Sequence, residues 1–505
     1  MLEWLEALLL LCVAAAANSA GASNRIANAG FMIPNPDSIS SGASGPPGLS
    51  RFPGSRSESA VSFPIWQVIL RFHGLATQTK SLLSLARRAT PDARRISELA
   101  EQAPLFQAQR WFARERHWIN EQHLAICRIA APTFFEEKRA GWFVERLRSL
   151  RWEATLDRAG NVLATFPGSV GQPLLAVTAH LDTVLAPNRP EDIAVSPDGR
   201  FHGPGVSDNG SGLASLLALA RVLAETPGLE ELARSVLIVA NVGEEGEGNL
   251  SGMRYLCRQS MWAERIRAFI VLDGPSLEHI TAQALSSRRF EVTFHGSGGH
   301  SWNDQGNANP VHAAGHVISA FAHGAELRTD GAAARFAYNF GIIEGGASIN
   351  SIPANALTKL DLRSEDPEVL QELAALLTTS VERALEFENH RARASRITAK
   401  IKELGCRPGG KLAPGSPLLR TIQAVDAHLQ IRSRVNCAST DANLPLSLGL
   451  PAVSIGTGGQ GAGAHTEQEW FHPDGREVGL RRVLLLLAAL AGDLGRDLAA
   501  EGPGA

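Results

Sequence analysis

The sequence predicts an α/β protein in two interleaved parts. One is a three-layer domain on a mostly parallel sheet, and the other is a smaller ferredoxin-like α+β domain inserted into it. Three observations carry this. Short, nearly all-apolar runs, Leu174-Leu-Ala-Val-Thr-Ala179, Val236–Asn241 and Ala268–Leu272, alternate with helical stretches. Strands apolar on both faces belong in a parallel sheet sandwiched by helices. After about residue 285 the pattern turns to half-buried alternation, as in Arg289-Phe-Glu-Val-Thr-Phe294, and from Pro408 the first pattern returns.

Taken in order, ordered structure is expected from near Ser97, with helical spacing of Ile119, Leu124, Ile126 and Ile129 around Cys127. A helix over Glu136–Leu150 leads into strands at Trp152–Leu156 and Asn161–Phe166, then the strand that His180 ends. Next come a helix over Ser211–Glu225, the strand Val236–Asn241, a helix near Gly252–Ser260 and the strand to Leu272. The inserted set is Arg289–Phe294, a helix from Pro310 to about Ala325, Ala337–Ile343, Ala356–Leu362, a helix over Pro367–Glu388 and Ile397–Lys402. That order, βαββαβ, is the ferredoxin-like arrangement. A helix at Pro417–Leu429, the strand Ala452–Ile455 and a helix from about Val478 to Ala499 complete the chain. The expected divisions are 1–95, an atypical extension that is disordered or precedes the true start; 96–284 and 408–500, the two parts of the large domain; and 285–407, the insertion.

Bulk composition excludes several classes. A hydrophobic share of 44% and a charged share of 20% are those of a water-soluble globular chain. A net charge of -3 gives no electrostatic reason to expect nucleic acid or an acidic membrane as partner. Five scattered cysteines without a CxxC indicate neither a disulfide framework nor a thiolate zinc site. Leu8 to Ala17 resembles the core of an export signal, but Glu3 and Glu6 put the wrong charge before it, and it is too short to span a bilayer. Residues 18–59 are rich in Gly, Ser, Pro and Asn, a composition that does not build a core. A cytoplasmic location is favoured, with export through an atypical signal left open.

The chemistry-bearing residues gather at strand ends, where sites in open α/β sheets form. His180 and Asp182 follow one strand, and Glu244–Glu245 follow another in Gly243-Glu-Glu-Gly246. Asp273 directly follows Leu272, Asp208 sits in Gly205-Val-Ser-Asp-Asn-Gly210 before a helix, and His465 lies in a glycine-rich loop after a further strand. Two histidines with several carboxylates and no cysteine suit borderline-hard divalent ions such as Zn²⁺, Co²⁺ or Mn²⁺. Singly, each has an ordinary use: Asp208 as a helix cap, Asp273-Gly-Pro275 as a turn, Glu244–Glu245 as solvated charge. It is their joint occurrence at successive strand ends that points to a site.

Ala179-His-Leu-Asp-Thr183, Gly205–Gly210, Gly243–Gly246, Ser297-Gly-Gly-His-Ser301 and Gly-Ala-His465 follow one another between residues 100 and 498. In this order they resemble the co-catalytic zinc metallopeptidase and amidohydrolase family of aminoacylases, acetylornithine deacetylases, glutamate carboxypeptidases and peptidase T. The resemblance implies two divalent metal ions, most simply Zn²⁺. Asp208 would bridge them, His180 and Asp273 would complete one site, and Glu245 and His465 the other. Glu244 would be the general base and Asp182 the carboxylate that orients His180. His300 would reach into a partner subunit's site, so a homodimer is implied, with the insertion as lid and dimerisation domain. Asn350 and Arg363 stand at substrate-binding positions, although Asp361, Glu365 and Asp366 offer Arg363 a simple surface pairing. The peptide after the bridging aspartate is commonly cis in this family, here Asp208–Asn209, and Asn209 stands where many members have Asp or Met.

The expected function is hydrolysis of a peptide bond in short peptides, amino- or tripeptidase-like. Glu244-Glu-Gly246, Ser439-Thr-Asp-Ala-Asn443 and Asp273 as fifth ligand look nearest to the peptidase branches. An N-acyl-amino-acid deacylase would use the same residues. A non-catalytic dimeric binding protein is the reading from another class, and the intact ligand and base set weighs against it.

Overall fold

The computed structural model describes residues 91–329 and 334–492. The apolar run Leu8–Ala17, the polar stretch that follows it and the end of the terminal helix lie outside the described residues. Residues 91–95, read as part of the extension, form the start of the helix Pro91–Ala100. The reason is packing: Ile96 and Ala100 are buried against Val425 and Leu485, and Ser97 Oγ lies 3.1 Å from His428 Nδ1.

Among the described residues, a nine-stranded sheet runs in the order Glu153–Leu156, Val162–Thr165, Val236–Asn241, Leu174–His180, Ile266–Leu272, Ala452–Ile455, His279–Ala284, Gly410–Lys411. The ninth strand, Arg434–Ala438, pairs alongside His279–Ala284. The four strands from Val236–Asn241 to Ala452–Ile455 are mutually parallel, and every residue of Val236–Asn241 and Leu174–His180 is buried. Helices cover both faces. The helix Gly210–Glu225 is buried along almost its whole length and packs with Val177, Ile238 and Ile270 on one side of the sheet. Met253 and Leu256 of Ser251–Arg258 pack with Val239 and Val271 on the other.

The second sheet has four antiparallel strands in the order Phe336–Gly345, Asn355–Ser364, Ser286–His295, Thr398–Arg407. Numbered along the chain this is 2-3-1-4, the ferredoxin-like order. Its core is separate: Val292, Phe294, Phe321, Leu362, Leu373 and Leu377, with one face covered by the helices Pro310–Thr329 and Pro367–Arg391. The alternation in Asn355–Ser364 is clean, even positions buried and odd positions half-buried or exposed. Both chain crossings between the two sheets meet one side chain. Asn443 donates from Nδ2 to the Leu285 carbonyl at 2.8 Å and to the Pro408 carbonyl at 3.0 Å.

Two buried polar pairs hold the large domain together. Arg482 grips Asp426 with two bonds of 2.7 and 2.6 Å between the helices Pro417–Leu429 and Arg476–Ala491. His123 donates from Nε2 to the Val206 carbonyl at 2.7 Å, so its Nδ1 accepts from Arg476 at 2.6 Å. Burial and the Arg476 charge hold the His123 pKa well below its ordinary value. No helix among the described residues is long and apolar enough to cross a membrane.

Candidate metal centre

Because the central strands are parallel, the loops leaving their carboxyl ends meet on one edge. His180 is the last residue of its strand, and Asp273 comes directly after Leu272. Gly243 turns the chain out of Val236–Asn241 at a φ of 64°, and a Cβ there would stand 2.2 Å from Ser251 Oγ, so glycine is required before Glu244. Asp208 precedes the helix Gly210–Glu225, and the Asp208–Asn209 peptide is cis. Asn209 caps that helix through Oδ1 to Gly212 N at 3.1 Å and donates from Nδ2 to the Leu272 carbonyl at 2.8 Å. One side chain thus fastens the Asp208 loop to the strand end that carries Asp273.

His180, Asp208, Glu244, Glu245, Asp273 and His465 line a single cavity of about 290 Å³, with Arg363 reaching it from the small sheet. Two donor triads share Asp208: His180–Asp208–Asp273 and Asp208–Glu245–His465, each with one ligand atom per residue within 4.8 Å of the others. The two oxygens of Asp208 divide between the histidines, Oδ1 at 2.9 Å from His180 Nε2 and Oδ2 at 3.2 Å from His465 Nε2. His465 Nε2 is also 2.8 Å from Glu245 Oε1.

The cluster carries more negative charge than its own cations balance. Burial pushes Asp273 well above the usual carboxylate range, and the Asp208 charge adds to it. Burial raises Glu245 up to about 7, with Glu244 and Asp208 repelling the same charge. Burial opposes a charge on His180, but hydrogen bonds to Asp182 and Asp208 outweigh it and lift the imidazole well above its usual value. Crowded carboxylates at a buried edge are what divalent cations neutralise, and an imidazole–carboxylate donor set without thiolate suits them. The residues fit two divalent metal ions.

Asp182 sits under the cavity, fully buried, and does more than the sequence indicated. Its carboxylate accepts the backbone N–H of Glu244 at 3.0 Å, that of Glu245 at 2.9 Å, and the Thr133 hydroxyl at 2.9 Å. It stands 3.6 Å from His180 Nδ1, while the Asp182 main-chain carbonyl is nearer at 2.9 Å. Arg363 shares Asp361 with Arg289: Asp361 Oδ2 lies 2.8 Å from Arg363 Nε and Oδ1 3.2 Å from Arg289 Nε, and both arginines line the cavity. His300 and Asn350 are not brought to it. His300 lies on an exposed two-residue strand against Ser351–Ile352, and Asn350 is in the adjoining turn, its carbonyl accepting from Ser301 N at 3.0 Å.

Two residues of the centre had no place in the sequence reading. Glu469, nearly buried, accepts the backbone N–H groups of Gly205 at 2.7 Å, Ser207 at 2.7 Å and Asp208 at 2.8 Å. It follows His465 by four residues, so it clasps the loop of one histidine to the loop of Asp208. That short spacing was the available signal. Arg407, at the end of Thr398–Arg407, reaches Glu244 Oε1 at 2.8 Å. No spacing announced it.

A layered α/β domain with a carboxylate–imidazole centre at its sheet edge, joined to a ferredoxin-like unit, defines a class: metal-dependent hydrolases of peptide and amide bonds. Residues 161–303 match the profile of Peptidase family M28, and residues 286–388 match the Peptidase dimerisation domain. Both matches support the resemblance of the motifs to the metallopeptidase/amidohydrolase family. A curated relative from Pyrobaculum aerophilum, named provisionally a LysW-lysine/LysW-ornithine hydrolase, is 26% identical over 352 residues, 68% of this chain and 89% of its own. Among solved structures, a tripeptidase from Staphylococcus aureus is 18% identical with a TM-score of 0.59, over 74% of this chain and 98% of that one. A dinuclear metal-binding M20-family peptidase from Bacillus subtilis is 17% identical with a TM-score of 0.54, over the same shares.

Proposed function

We propose that this hydrolase acts on short peptides, as an amino- or tripeptidase, with Glu244 as its general base. The observation that carries the reading is the pair of donor triads sharing Asp208, with Glu244 beside them. In this reading Asp208 would be shared by two ions, with His180 and Asp273 holding one and Glu245 and His465 the other. Zn²⁺ is the ion the donors favour, with Co²⁺ and Mn²⁺ as alternatives. When bound, the two ions supply Lewis acidity and a water acidified toward neutrality. Glu244 takes the proton of the attacking water and hands it to the leaving nitrogen. Asp182 keeps Glu244 and Glu245 in register through their backbone N–H groups, and Arg363 offers a guanidinium fork to a substrate carboxylate.

Residues 285–407 act in this reading as lid and dimerisation domain, supported by the match to the Peptidase dimerisation domain. His300 and Asn350, exposed and away from their own cavity, serve the cavity of a partner subunit, where His300 donates to the oxyanion of the tetrahedral intermediate. A second reading, an N-acyl-amino-acid deacylase, draws support from the Pyrobaculum relative, whose name gives lysine and ornithine derivatives as its substrates. The tripeptidase fold neighbour favours peptides.

The test is turnover of tripeptides and of N-acetyl amino acids by the purified protein, with and without chelator. Chelator-sensitive cleavage of tripeptides alone supports the first reading, and cleavage of the acetylated series alone replaces it with the second. Glu244→Ala should keep its metal and lose activity by about 10²–10⁴-fold. Wild-type rates in that variant would remove Glu244 from the role of base.

A further inference from the structure

Arg407 is the last residue of the strand Thr398–Arg407, in register with Ser287 of the small sheet. Three residues later, Gly410 already pairs with Ala284 of the large sheet. The arginine therefore stands where the chain leaves the insertion, and its guanidinium turns inward to the cavity. Nη1 lies 2.8 Å from Glu244 Oε1 and 3.0 Å from Ser439 Oγ, and Nη2 donates to the Glu244 main-chain carbonyl. The side chains of the pair are only 9% and 7% exposed, so both charges are largely withdrawn from bulk water.

A planar fork that holds one residue by both its carbonyl and its carboxylate fixes the χ angles between them. A lysine, a single point of charge on a flexible stem, cannot make both contacts in one geometry. The grip takes Oε1 and leaves Oε2 without a bond to Arg407. A base must lie within about 2.6–3.2 Å of the proton it takes. A displacement of about 1 Å can cost on the order of 10²-fold in rate.

We propose that Arg407 is the positioning residue for Glu244, fixing its carboxylate so that Oε2 faces the reacting water and tying that orientation to the seat of the inserted domain. This rests on the reading of Glu244 as base. The test compares wild type, Glu244→Gln, Arg407→Lys, Arg407→Met and the Glu244→Gln/Arg407→Met double variant on trialanine, with metal content measured for each. Arg407→Met should lose on the order of 10²-fold in kcat with KM within about threefold and metal unchanged. Arg407→Lys should recover only a minor part, and Arg407→Met should add nothing to the loss already caused by Glu244→Gln. A rise in KM at constant kcat would make Arg407 a substrate ligand and overturn the proposal, as would a further loss in the double variant or loss of metal. Wild-type rates in Glu244→Gln would instead remove the base assignment, a separate failure. Should trialanine not be cleaved, thermal melts of the same variants decide. The pairing requires the double variant to lose less than the sum of the two single losses, because a lone buried charge remains in each single variant. Additive losses would overturn it.

Discussion

Glu469→Gln removes one oxygen from a clasp that the structure loads on both. Oε1 takes Ser207 N and Asp208 N at 2.7 and 2.8 Å, and Oε2 takes Gly205 N at 2.7 Å, lengths typical of bonds to an ionised acceptor. With glutamine, the oxygen can keep its two donors, but the amide nitrogen then faces the Gly205 N–H and leaves it without a partner. A bond to a charged group is worth about 1.5–3 kcal/mol, and the two survivors fall to neutral strength, so the total loss is about 3–4 kcal/mol. Unfolding entropy of ~2.1 cal/mol/K per residue over roughly 400 cooperative residues converts this to a melting point lowered by about 4–5 °C. The loosened segment also carries Asp208, so metal affinity should fall by about 10–100-fold, the usual effect of losing a partner behind a ligand. Calorimetry gives the first number, and metal retention against a graded series of chelator buffers gives the second. An unchanged melting point together with unchanged retention would refute the clasp.

Three further outcomes are expected. His123 is held neutral, its pKa depressed well below the ordinary 6.5. Below pH 6.5 the unfolded chain binds a proton that the folded one refuses, so stability should fall by about 1.4 kcal/mol per pH unit until the folded pKa is reached. Denaturation midpoints between pH 7 and 5 should show this slope in wild type and lose it in His123→Gln; parallel curves would reject it. Asp426→Asn strands the fully buried Arg482 and should cost about 3–5 kcal/mol by urea unfolding, whereas replacing both partners by apolar residues should cost much less. Chelation should lower the melting point reversibly, since an ion present at 1,000 times its Kd contributes about 4 kcal/mol. An unchanged melting point would count against resident metal.

The strands that build the centre were legible because burial on both faces writes itself as an apolar run: Val236–Asn241 and Ala452–Ile455 have the bounds their composition suggests. The inserted sheet was legible through its alternation. His279–Ala284 was not, since its Thr281 and Gln283 give no apolar run, and it is a strand through its neighbours Ala452–Ile455 and Arg434–Ala438, far away in the chain. The pairing of Phe201–His202 with Trp470–His472 escaped for the same reason, being two or three residues long and entirely non-local. The six convergent residues of the cavity could be named because loops after parallel strands must share an edge. Glu469 and Arg407 could not, because each acts through backbone or side-chain contacts that only the folded chain brings together.

Asn443 bonds to the carbonyls of both Leu285 and Pro408, so the first residue of the insertion and the first residue after it lie within reach of one amide. A segment whose ends coincide behaves as a cassette. It can be cut out and the gap closed by a short turn without asking the nine-stranded sheet to move. What would remain is a closed large domain that keeps Asp208 and its ligand neighbours but has shed Arg289, Arg363 and Arg407 together. The same geometry lets a foreign unit with close termini be grafted at that point, making the crossing a natural port for exchanging one cover of the cavity for another.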